Sequence, residues 1–160
     1  MTESPVSGKK LTPSEAFAKI CQYCAYQERS HLQVRNKLLG YGLYRSDAEE
    51  LISKLIVEGF LNEERFAKAF AGGKFRIKKW GRNKISHELE SHFVTDRCIQ
   101  KGLDEIDEGE YRNTLKSLLK KKFGRPEKTG VFNRRNKAAK YAIGKGYEPE
   151  LVWRMLKEMK

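Results

Sequence analysis

Apolar residues recur at intervals of three and four along most of the chain, as at Leu51, Ile52, Leu55 and Ile56, and no stretch alternates convincingly at period two. That spacing predicts helices throughout. Their starts are marked as well. Thr12-Pro13-Ser14-Glu15 offers a capping threonine, a proline at the first helical position and a glutamate three residues after the cap. Ser30-His31-Leu32-Gln33 and Ser46-Asp47-Ala48-Glu49 carry the same kind of signal. Asn62 and Thr95 are further cap candidates, and Pro149 is a candidate first helical residue.

The apolar pattern also repeats. The segment around Val34–Leu55, shifted by 51 residues and then by 53 more, aligns without a gap. Val34 meets Ile85 and Ala138, Leu38 meets Leu89 and Ala142, and Leu43 meets Val94 and Tyr147. Ala48 meets Ile99 and Val152, Ile52 meets Leu103 and Leu156, and Leu55 meets Ile106 and Met159. Six apolar columns in register through three copies imply an internal repeat.

Each copy has room for three helices. Phe17–Glu28, Asn62–Lys79 and Tyr111–Phe123 are successive versions of the first, and Ser30–Tyr41, Arg82–His92 and Asn133–Lys145 of the second. Ser46–Glu58, Thr95–Ile106 and Pro149–Met159 are versions of the third. The predicted fold is all-α: three tandem three-helix repeats, helix-turn-helix-like, forming an elongated, curved array. Its divisions are a flexible tail over residues 1–12 and repeats over 13–60, 61–107 and 108–160. Repeats this small barely support separate cores, so they are expected to share apolar faces.

Glycines should end the second helices by taking the left-handed conformation, Gly40 and Gly42 matching Gly144 and Gly146. His92 and Phe93 replace them in the middle copy, where the turn is expected to close differently. The joint Gly124–Gly130, with Pro126 inside it, is expected to bend or move.

Charge narrows the function. The 160 residues carry 33 Lys and Arg against 21 Asp and Glu, a net charge of +12, which points to a polyanionic partner. Between Arg65 and His87 lie Arg65, Lys68, Lys74, Arg76, Lys78, Lys79, Arg82 and Lys84, with no acidic residue and with Phe75, Ile77 and Trp80 interleaved. A solvated helix face is the plain reading of a charge run. A run without counter-charges repels itself, however, so an anion-binding face is favoured. A second basic block, from Arg112 to Lys145, includes Arg134, Arg135 and Lys137 and is opposed only by Glu127. Between the blocks lies an acidic patch of Asp96, Asp104, Glu105, Asp107, Glu108 and Glu110. It serves either as a clamp between repeats or as a docking face.

Other candidate chemistry is weak. Gly72-Gly73 costs roughly 2 kcal/mol in a helix relative to two alanines. Phe75 follows Gly73-Lys74 where a phosphate loop needs Ser or Thr, so a local kink or a close helix contact is the better reading. Cys21 and Cys24 have the spacing of a redox or zinc pair but no second pair to complete four ligands. On a helix with Phe17 and Ile20 they read as small packing residues. No nucleophile–base–orienter set stands out, and neither catalysis, nor a cofactor, nor a metal is expected. The polar N-terminal residues Met1–Lys10 form no signal peptide and no apolar run approaches a membrane span, so the expected setting is cytoplasmic.

Tyr26-Gln27-Glu28-Arg29-Ser30 followed by Val34-Arg35-Asn36-Lys37-Leu38 is similar to the opening of RecX-family proteins. Glu58-Gly59-Phe60-Leu61-Asn62-Glu63-Glu64-Arg65-Phe66-Ala67 resembles that family's most recognisable stretch. So does Phe75-Arg76-Ile77-Lys78-Lys79-Trp80-Gly81-Arg82 leading into Ile85, Glu88 and Leu89. The late Lys137–Tyr147 segment extends the resemblance to nearly the whole chain. Gly72-Gly73, where an uninterrupted helix is expected, and Phe93 at the middle turn depart from the pattern.

The resemblance implies an array of three three-helix repeats that inhibits the RecA recombinase by engaging its filament on DNA; a monomer is expected. The candidate contact residues are Arg65, Lys74, Arg76, Lys78, Lys79, Trp80, Arg82 and Lys84, with Arg134, Arg135 and Lys137 in the third repeat. Replacing Lys78, Lys79 and Arg82 by glutamine is expected to weaken binding while shifting stability by only about 0.5 kcal/mol each. One rival is a stand-alone helix-turn-helix module that places Arg82–Phe93 in a DNA groove. The other is a protein–protein adaptor.

Overall fold

A computed structural model describes residues 10–123 and 130–159. The tail residues before Lys10 and the joint from Gly124 to Thr129 lie outside the described residues. Within them the helices are α1 (Pro13–Tyr26), α2 (His31–Gly40), α3 (Arg45–Val57), α4 (Glu63–Gly73), α5 (Arg82–Ser91), α6 (Asp96–Leu103), α7 (Glu108–Phe123), α8 (Val131–Gly144) and α9 (Pro149–Glu158). They form three successive triplets, and no strand occurs among the described residues.

Local chemistry accounts for most of the helix starts. The Thr12 hydroxyl accepts from the Glu15 N–H at 3.2 Å, and the Glu15 carboxylate accepts from the Thr12 N–H at 3.0 Å. Ser30 and Gln33 repeat the exchange at 3.0 and 2.9 Å. Asn62 caps α4 by accepting from the Arg65 N–H. Two expected caps fail. α3 starts from Tyr44, which makes no side-chain capping bond, and Ser46 is already the second helical residue. Burial of both Leu43 and Ala48 on the first core forces this early entry. Thr95 stands at the cap position of α6 but makes no capping bond. Its hydroxyl donates instead to Glu63 at 3.0 Å, joining the starts of α6 and α4.

The turns between second and third helices close alike in all three triplets. Gly42 and Gly146 are left-handed, with φ of 90° and 104°, and Phe93 takes the same position with φ 58°. The expectation of a different middle turn is therefore wrong. The Phe93 N–H donates to Glu90 O and the Val94 N–H to Leu89 O, as those of Gly146 and Tyr147 donate to Ile143 and Ala142. Phe93 itself is largely exposed, so the left-handed cost of about 1–2 kcal/mol is set against the turn's hydrogen bonds and the burial of Val94.

All six apolar columns face the interior. Every member is buried except Leu103 and Met159, and these two pack against the core. The core is not one continuous body. Ala16, Ile20, Val34, Leu38, Ile52 and Leu55 belong to a cluster confined to the first triplet and Leu61. The second and third triplets share a single larger cluster, from Phe66 to Leu156. Face-sharing thus holds for those two and not for the first.

The glycine pair does not break α4. Gly72 and Gly73 stay helical, and a π-helical turn, Lys74–Lys78, follows directly. It ends at Lys79, which is left-handed with φ 61°. The expected single helix Asn62–Lys79 is therefore two kinds of helix. The wider turn keeps Phe75 buried while leaving Arg76, Ile77 and Lys78 exposed.

Candidate nucleic-acid and partner interface

The π turn is the centre of the first basic run, and the fold sorts its cations by chemistry. Arg65 stays exposed but is engaged within the chain: its Nε donates to Glu28 at 2.8 Å and its terminal nitrogen to Gly59 O at 3.0 Å, tying α4 to the first triplet. Beside it the buried Ser30 hydroxyl meets Nδ1 of His92 at 2.9 Å. Lys68 pairs with Glu64, one turn away, at 3.2 Å.

Arg82 is the most heavily engaged. Its guanidinium donates to Glu148 at 2.8 Å and Glu108 at 2.7 Å, and lies 3.8 Å over the Tyr111 ring. Burial opposes its charge, but the bonds to Glu148 and Glu108 prevail and hold its pKa above the ordinary value. The Tyr111 hydroxyl accepts from the Arg82 N–H and donates to Glu148. Burial, with Glu148 adding to it, holds that phenol protonated well above the usual tyrosine range.

Around this lock the backbones touch. The Gly81 N–H donates to Lys145 O at 2.8 Å and the Asn83 N–H to Gly146 O at 2.9 Å. A Cβ on Gly81 would stand 2.3 Å from the Gly146 carbonyl carbon. The Tyr147 hydroxyl donates to Lys79 O at 3.0 Å, and Lys145 Nζ to Lys78 O at 2.8 Å. Part of the acidic patch is thus a clamp between repeats, since Glu108 takes both Arg82 and Arg112.

The third-repeat candidates divide in the same way. Arg134 donates through two nitrogens to Phe123 O and closes the end of α7. Arg135 reaches Met159 O at 3.3 Å. Lys137 is exposed on α8. Arginine, whose planar fork suits fixed acceptors, is spent on the scaffold.

What remains outward is mainly lysine. Lys74 Nζ lies 5.0 Å from the Trp80 ring centre and 5.4 Å from that of Phe70. Lys84 Nζ lies 4.6 Å from the same indole. Arg76, Lys78 and Lys79 are exposed beside them, with Lys79 Nζ donating to Arg76 O. The structure therefore gathers Lys74, Arg76, Lys78, Lys79, Trp80 and Lys84 at one place, the π turn and the start of α5. It sets Arg65, Arg82, Arg134 and Arg135 into internal contacts. The glutamine variant including Arg82 would not spare stability as expected, because it removes the clamp. Sequence reading missed the clamp's other members, Tyr111, Tyr147, Glu148, Gly81 and Gly146; Tyr147 gave a signal as a large residue in a core column, and Gly146 as a left-handed turn glycine.

Among the described residues no three His, Cys, Asp or Glu side chains gather as a metal set. Burial pushes the Cys24 thiol up to about 11 and raises that of Cys21 as well, which keeps both protonated at neutral pH. No helix among the described residues is long and apolar enough to cross a membrane.

The described residues define a helical array of three-helix repeats with exposed cations gathered at the π turn. Two family models match it: the second three-helix domain of RecX over residues 62–103 and the third over residues 110–156, together more than half of the chain. The chain belongs to the RecX family. The regulatory protein RecX of Clostridium tetani (strain Massachusetts / E88) is 26% identical over 136 residues, covering 82% of this chain and 61% of the relative. That of Bacillus cereus (strain AH820) is 23% identical over 146 residues, covering 91% and 54%. The chain thus spans less than two thirds of the length of these relatives.

A crystal structure of RecX from Lactobacillus salivarius superposes with a TM-score of 0.82 at 20% identity, covering 92% of this chain and 96% of that one. A second crystal structure, of regulatory protein RecX, gives a TM-score of 0.81 at 19% identity, covering 91% and 73%. At these identities the likeness concerns the fold.

Proposed function

We propose that this protein regulates the RecA recombinase by binding the RecA–DNA filament, inhibiting it in the cytoplasm as a monomer and without catalysis of its own. The observation that carries the reading, beside family membership, is the outward face of Lys74, Arg76, Lys78, Lys79 and Lys84 around Trp80. Among the described residues none of these five side chains forms a salt bridge. Such a face attracts phosphates or acidic protein surface and releases counterions on contact.

The stand-alone helix-turn-helix reading needs the first residues of α5 to reach base edges. Here the third repeat covers that end, with Gly81 against Gly146 and Arg82 held by Glu108 and Glu148. This weighs against it.

The face is tested with Lys74, Lys78 and Lys84 replaced together by glutamine, a change that leaves every internal ion pair named above intact. Binding to RecA filaments on single-stranded DNA should weaken. The slope of log K against log salt should shrink by about 2–3 units if the three contact phosphates, at roughly 0.7–0.9 each. Equal affinity and slope for variant and wild type would move the contact elsewhere. Lys137 and Lys140 changed to glutamine ask the same of the third repeat.

A further inference from the structure

Beside the Trp80 lysines the surface is hollow rather than flat. Ala69 and Gly73, one turn apart on α4, are small, and a Cβ on Gly73 would meet nothing within 4 Å. The opening of about 250 Å³ is walled by Ala69, Phe70, Gly73, Lys74, Ile77 and Lys78. The π turn carries Ile77 to its rim, where it is 78% exposed. Phe70 is held in place by an aromatic cluster, its ring centre 5.6 Å from Phe66, 5.8 Å from His92 and 6.5 Å edge-on from Trp80. The result is a fixed aromatic wall, an apolar floor and ammonium groups at the edge.

We propose that this hollow takes one unpaired base of a single-stranded nucleic acid, stacked beside Phe70, while Lys74 and Lys78 meet the phosphates on either side. Charge complementarity selects the occupant. A partner's apolar side chain would be satisfied by the hollow alone. Ammonium groups at the rim call for anions adjoining the inserted group, and a nucleotide strand places phosphates beside every base. Stacking on an aromatic face within a cationic groove is the general way single strands are held without sequence preference. A duplex keeps its bases paired and stacked, so the hollow favours single strands. This rests on the reading of the lysine face as a nucleic-acid contact.

The test compares binding of the full chain to a short oligo(dT) and to an abasic strand of the same length and charge, by fluorescence anisotropy. Wild type should prefer oligo(dT) by roughly five-fold or more, the ratio one stacked base supplies. Gly73→Leu, at a helical position with open space before it, plugs the hollow. It should bind oligo(dT) only as well as the abasic strand, with abasic affinity unchanged. Ala69→Leu fills it from the exposed position one turn earlier on α4 and should do the same, which covers a folding failure of the first variant; circular dichroism verifies the folds.

Equal wild-type affinity for both strands would overturn the base pocket and leave the phosphate-binding reading standing. Binding to neither strand, with a plugged variant that binds RecA filaments less well than wild type, would overturn it in favour of a protein side chain. Binding to neither strand, with filament binding unaffected by the plug, would overturn the pocket and the nucleic-acid face together.

Discussion

At the scale of single residues, the sequence showed where charge and apolar groups lie but not which of them face each other. Arg65, Arg82, Arg134 and Arg135 read as one population with the lysines, because a charge run carries no record of its partners. Their acceptors are a glutamate or a carbonyl between 6 and 66 residues away. His31 shows the same limit. Scattered in sequence, it is half-buried at the start of α2, and its Nε2 has no hydrogen-bond partner among the described residues. Burial lowers its pKa from 6.5, against the opposing pull of Glu63 and Glu49 and with a smaller push from Arg35. The folded protein therefore takes up this proton less readily than the unfolded chain. Stability contributed here is present above pH 6.5 and falls as pH drops through the lowered value. Urea midpoints of wild type should decline across that window, and those of His31→Gln should decline less. Parallel curves would show that burial of His31 has no such effect.

At the scale of elements, capping chemistry was legible where a polar side chain could act alone. Thr12, Ser30 and Asn62 cap as read. Ser46 and Thr95 mislead because burial of Leu43 and a bond to Glu63 decide their helix starts. The π turn was not legible, since Gly72-Gly73 marks a weak point without naming the geometry that replaces it. Nor was the clamp, which depends on two backbones meeting. Gly81→Ala tests it directly: its methyl has no room against Gly146. It should cost about 3 kcal/mol or somewhat more, at the upper end for overpacking, because backbone cannot swing aside as a side chain does. Arg82→Gln should cost about 1.5–3 kcal/mol through lost charged hydrogen bonds. Urea unfolding reads both. A change below about 0.5 kcal/mol in either would mean that the second and third repeats are not held together here.

At the scale of the molecule, the three-fold register was the strongest signal, because core positions must recur whenever a repeat recurs. Nearly every member of its six columns is buried, but the columns leave out the first helix of each triplet, where Ile20, Phe66 and Leu115 complete the core. The register does not say how units join, and the first triplet proves to keep its own cluster while the other two merge. The candidate face lies on the merged pair, at the π turn next to the seam, so the clamp holds the lysines of the second repeat relative to the third. The regulatory role proposed for that face is tested most directly by the rate of RecA ATP hydrolysis on single-stranded DNA, measured with increasing amounts of this protein. Hydrolysis should fall to a low plateau, with more protein needed to reach it for the Lys74, Lys78 and Lys84 glutamine variant. An unchanged rate at amounts that saturate filament binding would contradict the account.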